Sequence, residues 1–215
     1  MAPYLSFTAS GALIDPSTQK TEPVYSLSIE GLDKYLTYSS HESGLSNSLQ
    51  AQVYLPAGSH ICYITAHNPV SVPAWSSVQS GKSTHLELGS GLVYTNHSCD
   101  PNVEFRLFSP DPNGRFGSEL PYELPKGQAR PVPGEYGLAG EVRVSAKKDL
   151  KAGADLSFFY PSSEWDSAKP FQCLCGTERC LGKIRGAKAL GREKLGEYYV
   201  NPHIWELVEE RERKQ

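Results

Sequence analysis

No stretch of this 215-residue chain approaches the ~18 consecutive apolar residues that a membrane-spanning helix requires. Its first residues, Met1-Ala2-Pro3-Tyr4-Leu5-Ser6-Phe7, show neither a basic patch nor an unbroken apolar core, so they do not read as a secretory signal. A surplus of one charge is also missing: 21 Lys+Arg stand against 24 Asp+Glu, a net of −3. That balance argues against direct nucleic-acid binding, which needs a dense positive face. Long helical periodicities are scarce, and 19 Gly with 16 Pro imply many turns. The chain is therefore expected to be soluble and intracellular, with cytoplasm and nucleus undecided and no membrane partner.

Enough apolar material remains for a self-sufficient core, at 39% hydrophobic and 10% aromatic residues. Short β-type runs bounded by turn residues are expected at 24–29, 51–55, 60–66, 92–95, 103–108, 142–146 and 155–160. Residues 109–140 hold six prolines and six glycines and read as a long surface insertion, either disordered or rimming a site. The C-terminal segment has helical grammar, with Asn201 as N-cap, Pro202 at the first helical position and Ile204, Trp205, Leu207 and Val208 on one face.

Cysteine is scarce, at five, but unevenly placed: Cys173, Cys175 and Cys180 form C-x-C-x4-C with Gly176 and Gly182 close by. Reduced thiols so closely spaced suit one metal ion, and the glycines permit a tight wrap around it. Three thiolates are one short of a tetrahedral zinc set. Locally, the fourth ligand is open between Cys62, Cys99 and a histidine. Cys62, in an apolar run, reads as an inert core residue.

The segment Tyr94-Thr95-Asn96-His97-Ser98-Cys99-Asp100-Pro101-Asn102 resembles the NHSCxPN signature of SET-domain methyltransferases. Ala152-Gly153-Ala154-Asp155-Leu156-Ser157-Phe158-Phe159-Tyr160 is similar to that family's GEELxxxY element, and the cysteine cluster to its post-SET zinc module. The resemblance spans roughly residues 25–190, leaves out the 109–140 insertion, and is nearest to compact stand-alone SET proteins. It implies a mainly β (β+α) fold: short curved sheets, a knot-like C-terminal region, a post-SET zinc module and a C-terminal helix. The expected divisions are an N-terminal extension (1–24), the SET domain (25–165), the zinc module (166–190) and a helical tail (191–215).

The same resemblance implies an S-adenosylmethionine-dependent methyltransferase acting on a protein lysine. The alternatives are a SET-derived enzyme acting on a small molecule in a biosynthetic pathway, or an inactive SET-like binding protein. It assigns one structural zinc to Cys99, Cys173, Cys175 and Cys180. Tyr160 falls on the catalytic tyrosine position and Tyr94 on an active-site aromatic. Asn96, His97 and Tyr160 fall on cofactor contacts, and Phe171 and Leu174 lie where residues cover the adenine. Four departures stand out. Ser46-Asn47-Ser48 replaces the family's G-x-G turn, Val93 an arginine, Ala154-Asp155 the acidic pair, and Phe159 the acidic residue before the tyrosine.

Overall fold

The computed structural model describes residues 6–7, 13–14, 21–22, 32–40, 47–74, 76–124 and 129–214. The expected strand at 24–29 and the serine at position 46 lie outside the described residues. Near the N-terminus, β1 (Ser6–Phe7), β2 (Leu13–Ile14) and β3 (Thr21–Glu22) pair antiparallel with one another. A hairpin follows, β4 (Leu36–Ser40) against β5 (Asn47–Ala51). Its inward residues Leu36, Leu49 and Ala51 are buried.

Next come β6 (His60–Ile64), β7 (His67–Val70), β8 (Ser77–Gln79) and β9 (His85–Leu88), of which the last three form one antiparallel sheet ordered β7-β9-β8. The short strand β10 (Asn96–His97) precedes β11 (Val103–Leu107) and β12 (Gly140–Val144), and β11 and β12 join β6 in a second antiparallel sheet. One face of that sheet buries Val103, Phe105, Val142 and Val144 in the core, as alternation dictates. The other face carries charge. Glu104 pairs with Arg106 at 2.7 Å and Glu141 with Arg143 at 2.8 Å.

Described residues of the 109–140 insertion pack near this sheet, with Tyr122 on its charged face and Phe116 on β7. The Tyr122 hydroxyl donates to Glu141 at 2.8 Å, and Phe116 packs edge-on against His67. With one buried carboxylate on each of two strands, Glu104 on β11 and Glu141 on β12, this face needs hydrogen-bonding partners, because buried charge is costly unless paired.

The chain then enters β13 (Ser157–Phe158), β14 (Phe171–Gln172) and β15 (Lys183–Ile184), with β14 and β15 forming a hairpin. It ends in α1 (Arg192–Leu195) and α2 (Pro202–Glu212). Gly186, at φ 98°, holds the backbone beside Trp165, where an added Cβ would meet the Trp165 carbonyl oxygen at 2.6 Å.

Three local expectations are corrected. Residues 92–95 are mainly a 3-10 turn (Gly91–Tyr94) opened by Ser90, whose hydroxyl accepts from the Leu92 N–H at 3.4 Å. Within 155–160 only Ser157–Phe158 is strand, and Tyr160–Ser162 is again 3-10, because Pro161 removes a ladder donor. Asn201 stands at the N-cap of α2 and Pro202 opens the helix, as expected, but the Asn201 side chain makes no cap hydrogen bond. Its amide is spent elsewhere, donating to the carbonyls of Phe105 and Ser162 and accepting from the Leu107 N–H.

Candidate active site and metal centre

Two short strands far apart in sequence build the site. β10 and β13 lie parallel, with Asn96 beside Ser157 and His97 beside Phe158. Ser98 N–H reaches the Phe158 carbonyl at 3.1 Å, and Asn102 brackets Ser157 from both sides: its N–H donates to the Ser157 carbonyl and its Oδ1 accepts from the Ser157 N–H. The two motifs are therefore zipped together by backbone geometry.

Tyr160 emerges at the end of this zip. Its ring packs against Phe158 (4.7 Å between centroids), His97 (5.1 Å) and Phe171 (6.0 Å). Its hydroxyl donates to the Thr95 carbonyl at 3.1 Å. Burial pushes the phenol far above its ordinary range, so it is a neutral hydroxyl. With its proton committed to Thr95, the oxygen retains lone pairs to accept from a donor.

His97 links this tyrosine to the cysteines. The Tyr160 N–H donates to Nδ1 at 3.2 Å, so that nitrogen carries no proton. The ring proton then sits on Nε2, 3.4 Å from Cys99 Sγ. Burial pushes His97 down to about 4, consistent with a neutral ring that orients its neighbours.

Cys99, Cys173, Cys175 and Cys180 place their sulfurs within 4.8 Å of one another. The Cys99 and Cys173 sulfurs are 3.9 Å apart. A tetrahedral zinc with bonds of about 2.3 Å needs sulfurs about 3.8 Å apart, so the donor set fits one ion. The Leu181 N–H donates to Cys99 Sγ at 3.3 Å, and the Thr177 hydroxyl lies 3.3 Å from Cys175 Sγ. Such outer partners orient ligating sulfurs. Cys62 is outside the group, buried in β6, its thiol pushed up to about 12. Between Cys99, Cys62 and the histidines, tertiary placement selects Cys99.

The remaining sequence candidates divide. Tyr94 is buried and meets Tyr38 edge-to-face at 5.0 Å, one residue before the carbonyl that Tyr160 engages. Asn96 directs its side-chain amide to the Asn47 carbonyl of β5 at 3.0 Å. Phe171 is half-buried against His97 and Tyr160. Leu174 is 90% exposed and takes no part in the core. Beyond those candidates, Glu164 and Trp165 follow the Tyr160 turn and are fastened to β8: the Gln79 N–H donates to Glu164 at 2.7 Å, and Gln79 Oε1 accepts from the Trp165 N–H.

Sequence reasoning missed Tyr38, Gln79 and Tyr198. Tyr198 stacks on Phe159 at 3.7 Å and donates its hydroxyl to the Cys99 carbonyl. The alternation Leu36-Thr37-Tyr38 was a readable strand signal for the first. Nothing local marks the other two.

No protein-family model matches the chain. It is 36% identical over 161 residues to Methyltransferase flvH of Aspergillus flavus, covering 75% of this chain and 74% of that protein. It is 26% identical over 164 residues to the histone-lysine N-methyltransferase ASHH1 of Arabidopsis thaliana, covering 75% of this chain and 24% of that protein. Among solved structures, KRYPTONITE in complex with mCHG DNA and SAH aligns with a TM-score of 0.43 at 21% identity, over 67% of this chain and 27% of that one.

Proposed function

This chain belongs to the SET-type methyltransferases, and from that premise we propose that it methylates the side-chain amine of a protein lysine at the Tyr160 site. S-adenosylmethionine supplies the methyl group, activated as an electrophile on a sulfonium. The observation that carries the reading is the Tyr160 hydroxyl, held by the Thr95 carbonyl inside a wall of Phe158, His97 and Phe171.

An amine attacks through its lone pair, so a lysine ammonium must first release a proton to solvent. A free lysine, with a pKa near 10.4, resists this at pH 7 by about 4–5 kcal/mol. An aromatic wall lowers that cost by disfavouring the ammonium form through desolvation. Tyr160, neutral and already donating to Thr95, accepts an amine N–H and points the lone pair toward the methyl carbon. Bound S-adenosylmethionine would supply that methyl carbon, the N–C bond forming as the C–S bond breaks, with S-adenosylhomocysteine as the leaving product.

Half-buried Phe171 and exposed Leu174 present apolar surface that a planar adenine would cover. Asn96, His97 and Tyr160 frame the rest of the cofactor site. The four cysteines would hold one zinc, with an apparent binding free energy on the order of 10 kcal/mol at neutral pH. Cys173 and Cys175 beside Phe171, and Cys99 beside Asn96 and His97, would then be joined through their thiolates.

A second reading, a small-molecule amine as acceptor, is favoured by one observation. The relative matched along 74% of its own length is named simply a methyltransferase, whereas the histone-lysine enzyme is matched along 24%. Incubating cell extract with methyl-labelled cofactor and resolving proteins from metabolites by mass spectrometry decides between them. Label confined to metabolites overturns the lysine reading. In Tyr160→Phe, kcat should fall about 100-fold with KM for the cofactor nearly unchanged. Full activity in that variant removes Tyr160 from the mechanism.

A further inference from the structure

Two of the sequence's departures from the family pattern touch each other. Ser48, in the segment replacing the G-x-G turn, is 1% exposed and donates its hydroxyl to Asp155 Oδ1 at 2.7 Å. Asp155, the one acid left where the family has a pair, also accepts from Gln50 Nε2 at 2.8 Å on the same oxygen. The positions are 107 residues apart in sequence.

The backbone around them is paired as well. Leu156 N–H donates to the Leu49 carbonyl at 2.7 Å, and Ala51 N–H to the Ala154 carbonyl at 3.0 Å. Asn47, next to Ser48, gives its carbonyl to the Asn96 amide. Asn96 in turn lies beside Ser157, two residues after Asp155. The contacts close a ring: Asn96 to Asn47, Ser48 to Asp155, Ser157 back to Asn96.

A glycine in such a turn leaves the backbone free to approach a ligand, and a serine adds a Cβ and a hydroxyl that must go somewhere. Here the hydroxyl is drawn to the carboxylate, which fixes its rotamer. A buried hydroxyl bonded to a carboxylate is also a stronger tether than a neutral pair.

Resting on the methyltransferase reading, we infer that Asp155 is a positioning residue for the cofactor site, holding Ser48 and Gln50 so that the Asn47 carbonyl fixes the Asn96 side chain. The two departures are one compensated pair. The serine substitutes for the glycine because the carboxylate opposite takes its hydroxyl.

The test is calorimetric titration of the zinc-loaded full chain with S-adenosylmethionine, with thermal melts as the folding control. Asp155→Ala should weaken binding about tenfold, the loss expected for hydrogen bonds to a charged acceptor. Asp155→Asn keeps an acceptor oxygen and should recover most of that loss. Ser48→Ala and Asp155→Ala combined should cost clearly less than the product of their separate effects, because they break the same bond. In turnover, KM for the cofactor should rise with kcat changed less than about threefold. Wild-type binding with an equal affinity in a folded Asp155→Ala overturns the inference alone, as does full multiplicativity of the two variants. Should Asp155→Ala not fold, the comparison of Asp155→Asn with Ser48→Ala decides: near-native binding by the first and weakened binding by the second supports the inference, and unaltered binding by Ser48→Ala overturns it. Absence of binding by the folded wild type overturns the methyltransferase reading and the inference with it.

Discussion

The sheet region and the cysteine-rich C-terminal region are stabilised by different means. The sheets pack Leu49, Ile64, Leu86, Phe105, Leu150 and Leu156 at 0–1% exposure, a continuous apolar core shared by several strands. The segment from Phe171 to Ile184 has only two two-residue strands, and its small cluster consists of Cys99, Cys173 and Ile184 with a few partly buried neighbours. It is tied on by sulfur and by polar pins: Tyr198 on the Cys99 carbonyl, and Arg179 on Glu197 at 2.8 Å and over the Tyr198 ring. Burial stabilises by area, so it serves a region with many apolar residues. A short loop has too few, and a metal concentrates the required energy in one point. The proposed active site lies on the seam, with Tyr160 from one side and Phe171 from the other.

The largest break in this contrast should come from removing the metal. Chelation, or Cys99→Ser, is expected to abolish activity and free the amides of 171–184 to exchange. Those of β6, β11 and β12 should stay protected. Metal analysis should show one zinc per wild-type chain and less in the variant. Simultaneous loss of protection in both regions would show a single cooperative unit and erase the distinction.

A smaller effect is expected at Asn201, which pins the start of α2 to β11 and to the turn after Tyr160. It is fully buried and serves Leu107 N–H, the Phe105 and Ser162 carbonyls and the Tyr199 hydroxyl. Asn201→Ala should cost about 2–4 kcal/mol in denaturant unfolding, since buried backbone groups lose their partners. Asn201→Asp should be no better, because it sets a carboxylate oxygen against two carbonyls. A loss confined to the cap of α2 would leave Asn201→Asp near wild type.

The smallest effect belongs to Glu164, on the same seam. Burial pushes its carboxyl up to about 7 from an ordinary 4.5, against the pull of the Gln79 N–H. A carboxyl whose folded pKa is raised contributes stability in its protonated form. That contribution is complete below the unfolded pKa near 4.5 and is lost as pH rises through about 7. Glu164→Gln keeps an acceptor for Gln79 and should flatten the thermal-stability profile between those values. The difference between variant and wild type isolates Glu164 from the buried histidines, whose lowered values act in the opposite direction. Parallel profiles would remove Glu164 from the pH response.

The readable parts of the site were those written as contiguous runs. Asn96 to Asn102, Asp155 to Tyr160 and the three clustered cysteines each carry their chemistry in neighbouring letters. Gln79, Tyr198 and Asn201 carry theirs through partners 85 to 99 positions away, and no local pattern marks them. Asn201 even satisfied a local rule for a helix cap while its amide went to three buried backbone groups elsewhere, Leu107 N–H and the Phe105 and Ser162 carbonyls.

By itself, the order of residues determined the scarcity of long helices, the short turn-bounded strands and the presence of a thiol cluster one ligand short, since these follow from propensity and spacing. Folding decided which sulfur joins that cluster, that the Tyr160 hydroxyl reaches the Thr95 carbonyl, and that Ser48 and Asp155 answer one another. Those outcomes rest on distances between segments up to 107 residues apart. Local preference acts over a few neighbouring residues, and only packing brings such segments within the reach of a hydrogen bond.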